Sequence, residues 1–134
     1  MKFEISSREK EGIAILDASG KLIAGESATL FREHFSGALT AGTKNLILNL
    51  AQVDYIDSTG LGALVMCHTK AEDQQGVVKL LNLTKRNIEL LVLTKLTTIF
   101  DIFTDEQDAV NSFFPDRKIE RFDILSFLQK NKGH

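Results

Sequence analysis

NLILNLAQVDYIDSTGLGALV, residues 45–65, carries most of the information about this chain. Its first part, Asn45 to Leu50, is a short apolar run bounded by polar residues, the pattern of a central strand covered on both faces. A segment from Val53 to Asp57 follows, then a loop. A helix is predicted from about Ser58 to Asp73, closing near Gly76. The junction between the two elements is Asp57-Ser58-Thr59-Gly60-Leu61-Gly62.

Working outward, Phe3 and Ile5, then Ile13 and Ile15, alternate as two half-buried strands separated by the polar stretch Ser6 to Gly12. They are predicted to form a hairpin with a loose turn. Gly20 and Gly25 bracket the piece Lys21 to Ala24. From Glu26 the period lengthens to that of a helix, with Leu30, Phe31, Phe35 and Leu39 on one side and an end at Gly42. Ser27 could cap it, or Glu26 could serve its first turn. Val77 to Leu83 reads as a buried strand. Thr84 is placed to cap a helix through Leu93 whose apolar face holds Ile88, Leu91 and Val92. Ile99 to Phe103 is a further strand, and Asp105 opens a short helix carrying Ala109, Val110 and Phe113. This alternation predicts an α/β fold, a mixed central sheet with about four helices against it. Pro115, the single proline, marks the one boundary: residues 1–114 form the domain and 115–134 a C-terminal helical extension. In that extension Phe122, Ile124, Leu125 and Leu128 line an amphipathic helix with Asp123 near its start. It is expected to pack on the domain, partner docking being the alternative.

Composition narrows the function classes. The 134 residues suffice for one domain with a sizeable core. The formal net charge of −2 is spread along the chain, there is no Trp and only one Tyr. A nucleic-acid face needs a concentrated basic patch and stacking platforms, so no nucleic-acid partner is expected. No apolar run is long enough for a bilayer, and the polar N-terminus lacks a secretory core, so a cytoplasmic protein without membrane contact is expected. Cys67, the single cysteine, excludes an internal disulfide. Three scattered His residues and one Cys make no metal set, and Gly60-Leu61-Gly62 lacks the third glycine of a dinucleotide fingerprint, so no cofactor is expected. Nor is enzymatic activity: His68, ten residues along the same helix, lies about 15 Å from Ser58, too far to act as its base.

Two readings of the junction remain. In the first, Ser58 caps the free N–H groups of the helix and the glycines serve helix–sheet packing alone. Alternatively, Gly60 and Gly62, each costing about 1 kcal/mol relative to Ala in a helix, are there because a partner surface approaches closely. A helix N-terminus favours anions by about 0.3–1 kcal/mol, so the fold would tolerate a phosphate on Ser58. Its charge of about −2 beside Asp54 and Asp57 would repel a docked partner without any refolding.

DYIDSTGLGALV, placed directly after NLILNLAQV, resembles the signature of the STAS domain as found in bacterial anti-sigma factor antagonists. The resemblance runs from about Phe3 to Phe114 and includes LLNLTKRNIELLVLTKL and FDIFTDEQDAV. It implies a STAS-like mixed sheet that binds an anti-sigma factor, typically a serine kinase of the histidine-kinase-like ATPase fold. It further implies that the kinase inactivates the domain by phosphorylating Ser58 and that a PP2C-type phosphatase reverses this. Asp57, Thr59, Gly60, Leu61 and Gly62 would frame the phosphosite and binding face. Where relatives carry an acidic residue after the Gly-x-Leu turn, this chain has Lys21-Leu22-Ile23-Ala24-Gly25, which shifts that role to Glu26 and makes Ala24 and Glu26 the remaining contact candidates. Thr94-Lys95-Leu96 replaces a glycine-containing turn. A constitutive scaffold or small-molecule-binding domain of a sensory complex is the alternative function.

Overall fold

The structure is a computed structural model that describes residues 2–120 and 122–131. One five-stranded sheet runs in the order β1-β2-β3-β4-β5. β1 (Glu4–Lys10) and β2 (Ile13–Leu22) form an antiparallel hairpin. β3 (Asn45–Ile56), β4 (Val77–Leu81) and β5 (Ile102–Phe103) each add parallel to the preceding strand, so the sheet is mixed as the sequence predicts. The parallel steps are made through α1 (Glu26–Thr40), α2 (Ser58–Asp73) and α3 (Lys85–Leu93), the last followed by a 3-10 turn at Leu96–Thr98. α4 (Glu106–Asn111) and α5 (Ile124–Asn131) complete the described chain.

Several boundaries differ from the sequence expectation. The polar stretch after Ile5 is not a separator. Ser6 to Lys10 belongs to β1, an edge strand whose wet sides accept polar residues, and the turn is only Glu11-Gly12. Both turn residues have positive φ (52° and 82°), which a tight two-residue hairpin requires. β3 is one strand of 12 residues rather than a short strand and a separate segment. β4 stops at Leu81 because Asn82 turns left-handed at φ 57°. β5 is cut to two residues because Phe100 N–H still bonds Leu96 C=O at 3.2 Å, inside the preceding turn. Lys95 holds the left-handed conformation (φ 62°) that ends α3.

Side-chain alternation divides the core between the faces of the sheet. Leu16, Leu46, Leu48, Leu50 and Leu80 join Phe31 and Phe35 of α1, Leu64 and Cys67 of α2, and Ile88 and Leu91 of α3. Ile13, Ile15, Ile47, Leu81 and Phe103 point the other way, onto Ala109 and Val110 of α4. Three helices therefore cover one face and α4 covers the other. α4 is fastened by charge as well as packing. Glu106 bonds both Arg8 and Lys10, and buried Lys79 donates to the C=O and Oγ of Ser112 at 3.2 and 2.8 Å. A cation at that position suits the negative end of a helix.

Beyond Pro115 the chain touches both faces: Ile119 joins Phe113 and Phe114, which precede the proline, on the α4 side, and Phe122, Ile124 and Phe127 pack on the larger core. The apolar stripe of the last helix is rotated from the expected one. Ile124 and Phe127 face the core, whereas Leu125 is 73% exposed, because the helix starts only at Ile124 and Phe122 packs from outside it. Asp123 stands just ahead of the helix and accepts from Ser126 N–H at 3.1 Å.

Candidate functional site

β2 and β3 end side by side, with Leu22 level with Ile56. Asp57 N–H extends the ladder by bonding Leu22 C=O at 3.2 Å, and α2 starts at the next residue. The capping residue is Asp57, not Ser58. Its Oδ1 accepts from Gly60 N–H at 2.8 Å while its Oδ2 accepts from Ala24 N–H at 3.0 Å. A carboxylate suits the position better than a hydroxyl because it can accept two N–H groups at once and carries charge toward the helix terminus. These bonds, Ala24 first and Gly60 second, hold the Asp57 carboxyl below the usual carboxylate range.

Ser58 is therefore the first helical residue, exposed, with its hydroxyl free of the capping bond. The two glycines have different tasks. A Cβ on Gly60 would lie 2.2 Å from Leu22 C=O and 2.9 Å from Ile56 Cγ2, so Gly60 is buried against its own strands and cannot meet a partner. A Cβ on Gly62 would meet nothing within 4 Å, and Gly62 is exposed. Of the expected contact residues, Ser58 and Gly62 are exposed and Asp57, Thr59 and Leu61 half-buried on the same turn and a half. Ala24 and Glu26 are exposed and are brought to the start of α2 by the Asp57 bond.

Ser27 does not cap α1. Gly25 stands at the cap position without a side-chain bond, and Ser27 Oγ instead turns back to Ile23, accepting from its N–H and donating to its C=O, both at 2.9 Å. Glu26 does open the first turn. Two neighbours of the site carry no sequence signal of their own. Arg86 at the start of α3 stacks on Tyr55, 4.4 Å from the ring centroid, on the strand leading into Ser58. Buried Asn87 donates to Val53 C=O at 2.8 Å, tying α3 to the end of β3. His68 is turned away, edge-on to Phe100 at 5.6 Å and 3.4 Å from Glu72. Among the described residues no group of three or more His, Cys, Asp and Glu is placed to hold a metal, and no helix is long and apolar enough to cross a membrane.

The STAS domain family model matches residues 4–109. The chain belongs to the STAS domain family. This STAS domain is 38% identical over 92 residues to the anti-sigma-B factor antagonist of Bacillus subtilis, an alignment spanning 66% of this chain and 84% of that protein. An anti-sigma factor antagonist from Mycobacterium paratuberculosis superposes with a TM-score of 0.75 at 17% identity, over 83% of this chain and 93% of that one. The phosphorylated form of the Bacillus cell fate determinant SpoIIAA does so with a TM-score of 0.65 at 18% identity, over 84% and 99%. At these identities the two superpositions speak for the fold alone.

Proposed function

We propose that this STAS domain is an anti-sigma factor antagonist, and that phosphorylation of Ser58 breaks its complex with an anti-sigma factor that is itself a serine kinase. The relationship to the anti-sigma-B factor antagonist supports the role, and a phosphorylated form of SpoIIAA supports the chemistry. The observation that carries the switch is the division of labour at the start of α2: Asp57 supplies the cap and Ser58 stands exposed beside it. Esterifying Ser58 Oγ thus costs the domain no capping bond.

The step transfers the γ-phosphoryl group of ATP to Ser58 Oγ, releasing ADP and the hydroxyl proton. The product adds a charge of about −2 next to the Asp57 carboxylate, at the centre of the turn formed by Thr59, Leu61 and Gly62. A partner seated over Gly62 and the Ala24–Glu26 loop meets that charge at close range, in a contact from which water is excluded. The phosphate is tolerated by the helix terminus yet repels or displaces the partner, so the switch needs no refolding. A PP2C-type phosphatase is the expected reverse activity.

The test is incubation with a cognate serine kinase and ATP, followed by peptide mass spectrometry. Phosphate on Ser58 is expected, with Ser58→Asp weakening the anti-sigma complex and Ser58→Ala keeping it intact in the presence of ATP. A complex indifferent to both substitutions would instead favour the constitutive scaffold.

A further inference from the structure

The two edges of the sheet are treated differently. β5 is two residues long, and Phe122 and Ile124 of the extension line a crevice with its Ile102 and Phe103. β1 is seven residues long and pairs only with β2 among the described residues. An uncovered edge of that length is a template for another strand, and natural sheets usually shorten, cover or charge such edges. β1 does carry charges, but charge blocks only strands that lack the opposite charge in register.

We propose that two copies of this chain join through their β1 edges, antiparallel about a two-fold axis at Ser7. In that register Glu4 of each copy lies opposite Lys10 of the other, Ile5 lies opposite Glu9, Ser6 lies opposite Arg8, and Ser7 lies opposite itself. Two attractive pairs form and no like charges lie directly opposite; the two Arg8 side chains are diagonal neighbours, each held by Asp17 and Glu106 of its own copy, and Lys10 shares Glu106. Neighbouring symmetric registers are worse: an axis at Ser6 sets Lys2 against Lys10 at both ends, which offsets its two Glu4–Arg8 pairs, and an axis at Arg8 sets Arg8 against itself. Opposite-charge pairs across strands favour a register by the same means that like pairs disfavour one. Slipping by one residue would also exchange the two faces of the added strand.

The surface next to β1 has room for the second copy. Between β1 and α1 runs an open groove of about 720 Å³, with Ala14 and Leu16 in its floor and Leu30, Gly37, Ala38 and Ala41 along its α1 side. A two-fold axis perpendicular to the sheet brings the α1 helices of both copies to this same face, where the small residues Gly37, Ala38 and Ala41 permit close approach. The second copy is also an occupant of matching charge, because the antiparallel register about Ser7 sets Glu4 against Lys10 at both ends of the contact. Ser58 lies at the far end of β3, two strands in from β1, so the pair would present two open Ser58 sites. This inference stands independently of the proposed function.

The experiment is sedimentation velocity over a range of concentrations, joined to cysteine cross-linking. Cys67 is fully buried, so an introduced cysteine is the reactive thiol. Residues directly opposite in an antiparallel pair have Cα atoms about 4.5–5.5 Å apart, within disulfide reach, whereas Ser6 and its symmetry mate would be roughly 8 Å apart, beyond it. Ser7→Cys is therefore expected to give a disulfide-linked dimer under mild oxidation and Ser6→Cys to give little. Glu4→Lys should weaken self-association about tenfold by replacing attraction with repulsion at both ends of the contact. Glu4→Lys combined with Lys10→Glu should restore it. A chain monomeric at every concentration, a dimer that cross-links as readily through Ser6→Cys, or an association unmoved by Glu4→Lys would each overturn the proposal.

Discussion

Asp57 Oδ2 accepts a 3.0 Å hydrogen bond from the backbone N–H of Ala24, 33 residues earlier in the chain. With Oδ1 on Gly60 N–H, one carboxylate couples the loop before α1 to the first turn of α2. Asp57→Ala is expected to lower stability by about 1–2 kcal/mol through loss of the cap. Asp57→Ser, which keeps a capping oxygen and loses the reach to Ala24, should fall between. Urea denaturation measures both, and amide exchange at Ala24 should accelerate in both variants. Protection of that amide unchanged in Asp57→Ala would contradict the coupling.

The two glycines should respond oppositely to the same change. In Gly60→Ala the new methyl meets Leu22 C=O at 2.2 Å, a backbone atom in the sheet that cannot give way cheaply. Overpacking of this kind costs about 1–3 kcal/mol or more. In Gly62→Ala the methyl points into open space, and replacing a helical glycine should raise stability by about 0.5–1 kcal/mol. Under the proposed function Gly62→Ala nevertheless weakens the partner complex. Equal stability changes in the two variants, read by denaturant midpoint, would sink the assignment.

Lys95 occupies a left-handed position (φ 62°) that costs a side-chain-bearing residue about 1 kcal/mol or more. Lys95→Gly is expected to stabilise the domain by up to about 1 kcal/mol, less whatever the glycine adds to the entropy of the unfolded chain. Thermal melts of the pair decide it, a lower Tm for the glycine variant being the contrary result.

Acid should unfold the domain through a small set of carboxylates. Glu106 is held low by Arg8 and then Lys10. For Asp17, burial pushes the carboxyl up, but bonds from Arg8 and Asn49 outweigh it and the net shift is downward. Asp57 is held low by backbone N–H groups. A carboxyl whose folded pKa lies below its unfolded value near 4 gives stability that is present above that value. It is lost as pH falls through the folded pKa. The urea midpoint should therefore stay level from pH 7 to about 5 and drop below about 4, and Glu106→Gln should make that drop shallower. A midpoint rising on acidification would refute the sign.

Much of this architecture was legible in the sequence because its causes are local. Alternation of elements along residues 26–113, the caps at Thr84 and Asp105, and the helix beginning beside Ser58 depend on neighbours a few residues apart. The shortfalls share a reason too. The polar stretch Ser6 to Gly12 reads as a separator because an edge strand has polar sides, and the last helix turns a different face inward because periodicity cannot say where a short helix begins.

What the sequence determined unaided is the α/β order of the chain and a serine at a helix start among acids and glycines. Which of Asp57 and Ser58 caps that helix, and which of Gly60 and Gly62 faces outward, was decided only by tertiary structure. Both questions turn on atoms brought from β2 and its following loop, Leu22 C=O and Ala24 N–H. Strand pairing places those atoms at the end of β3 through the Leu22–Ile56 register. No local pattern encodes that distance, so the exposed serine emerges only when the sheet has closed around its neighbour.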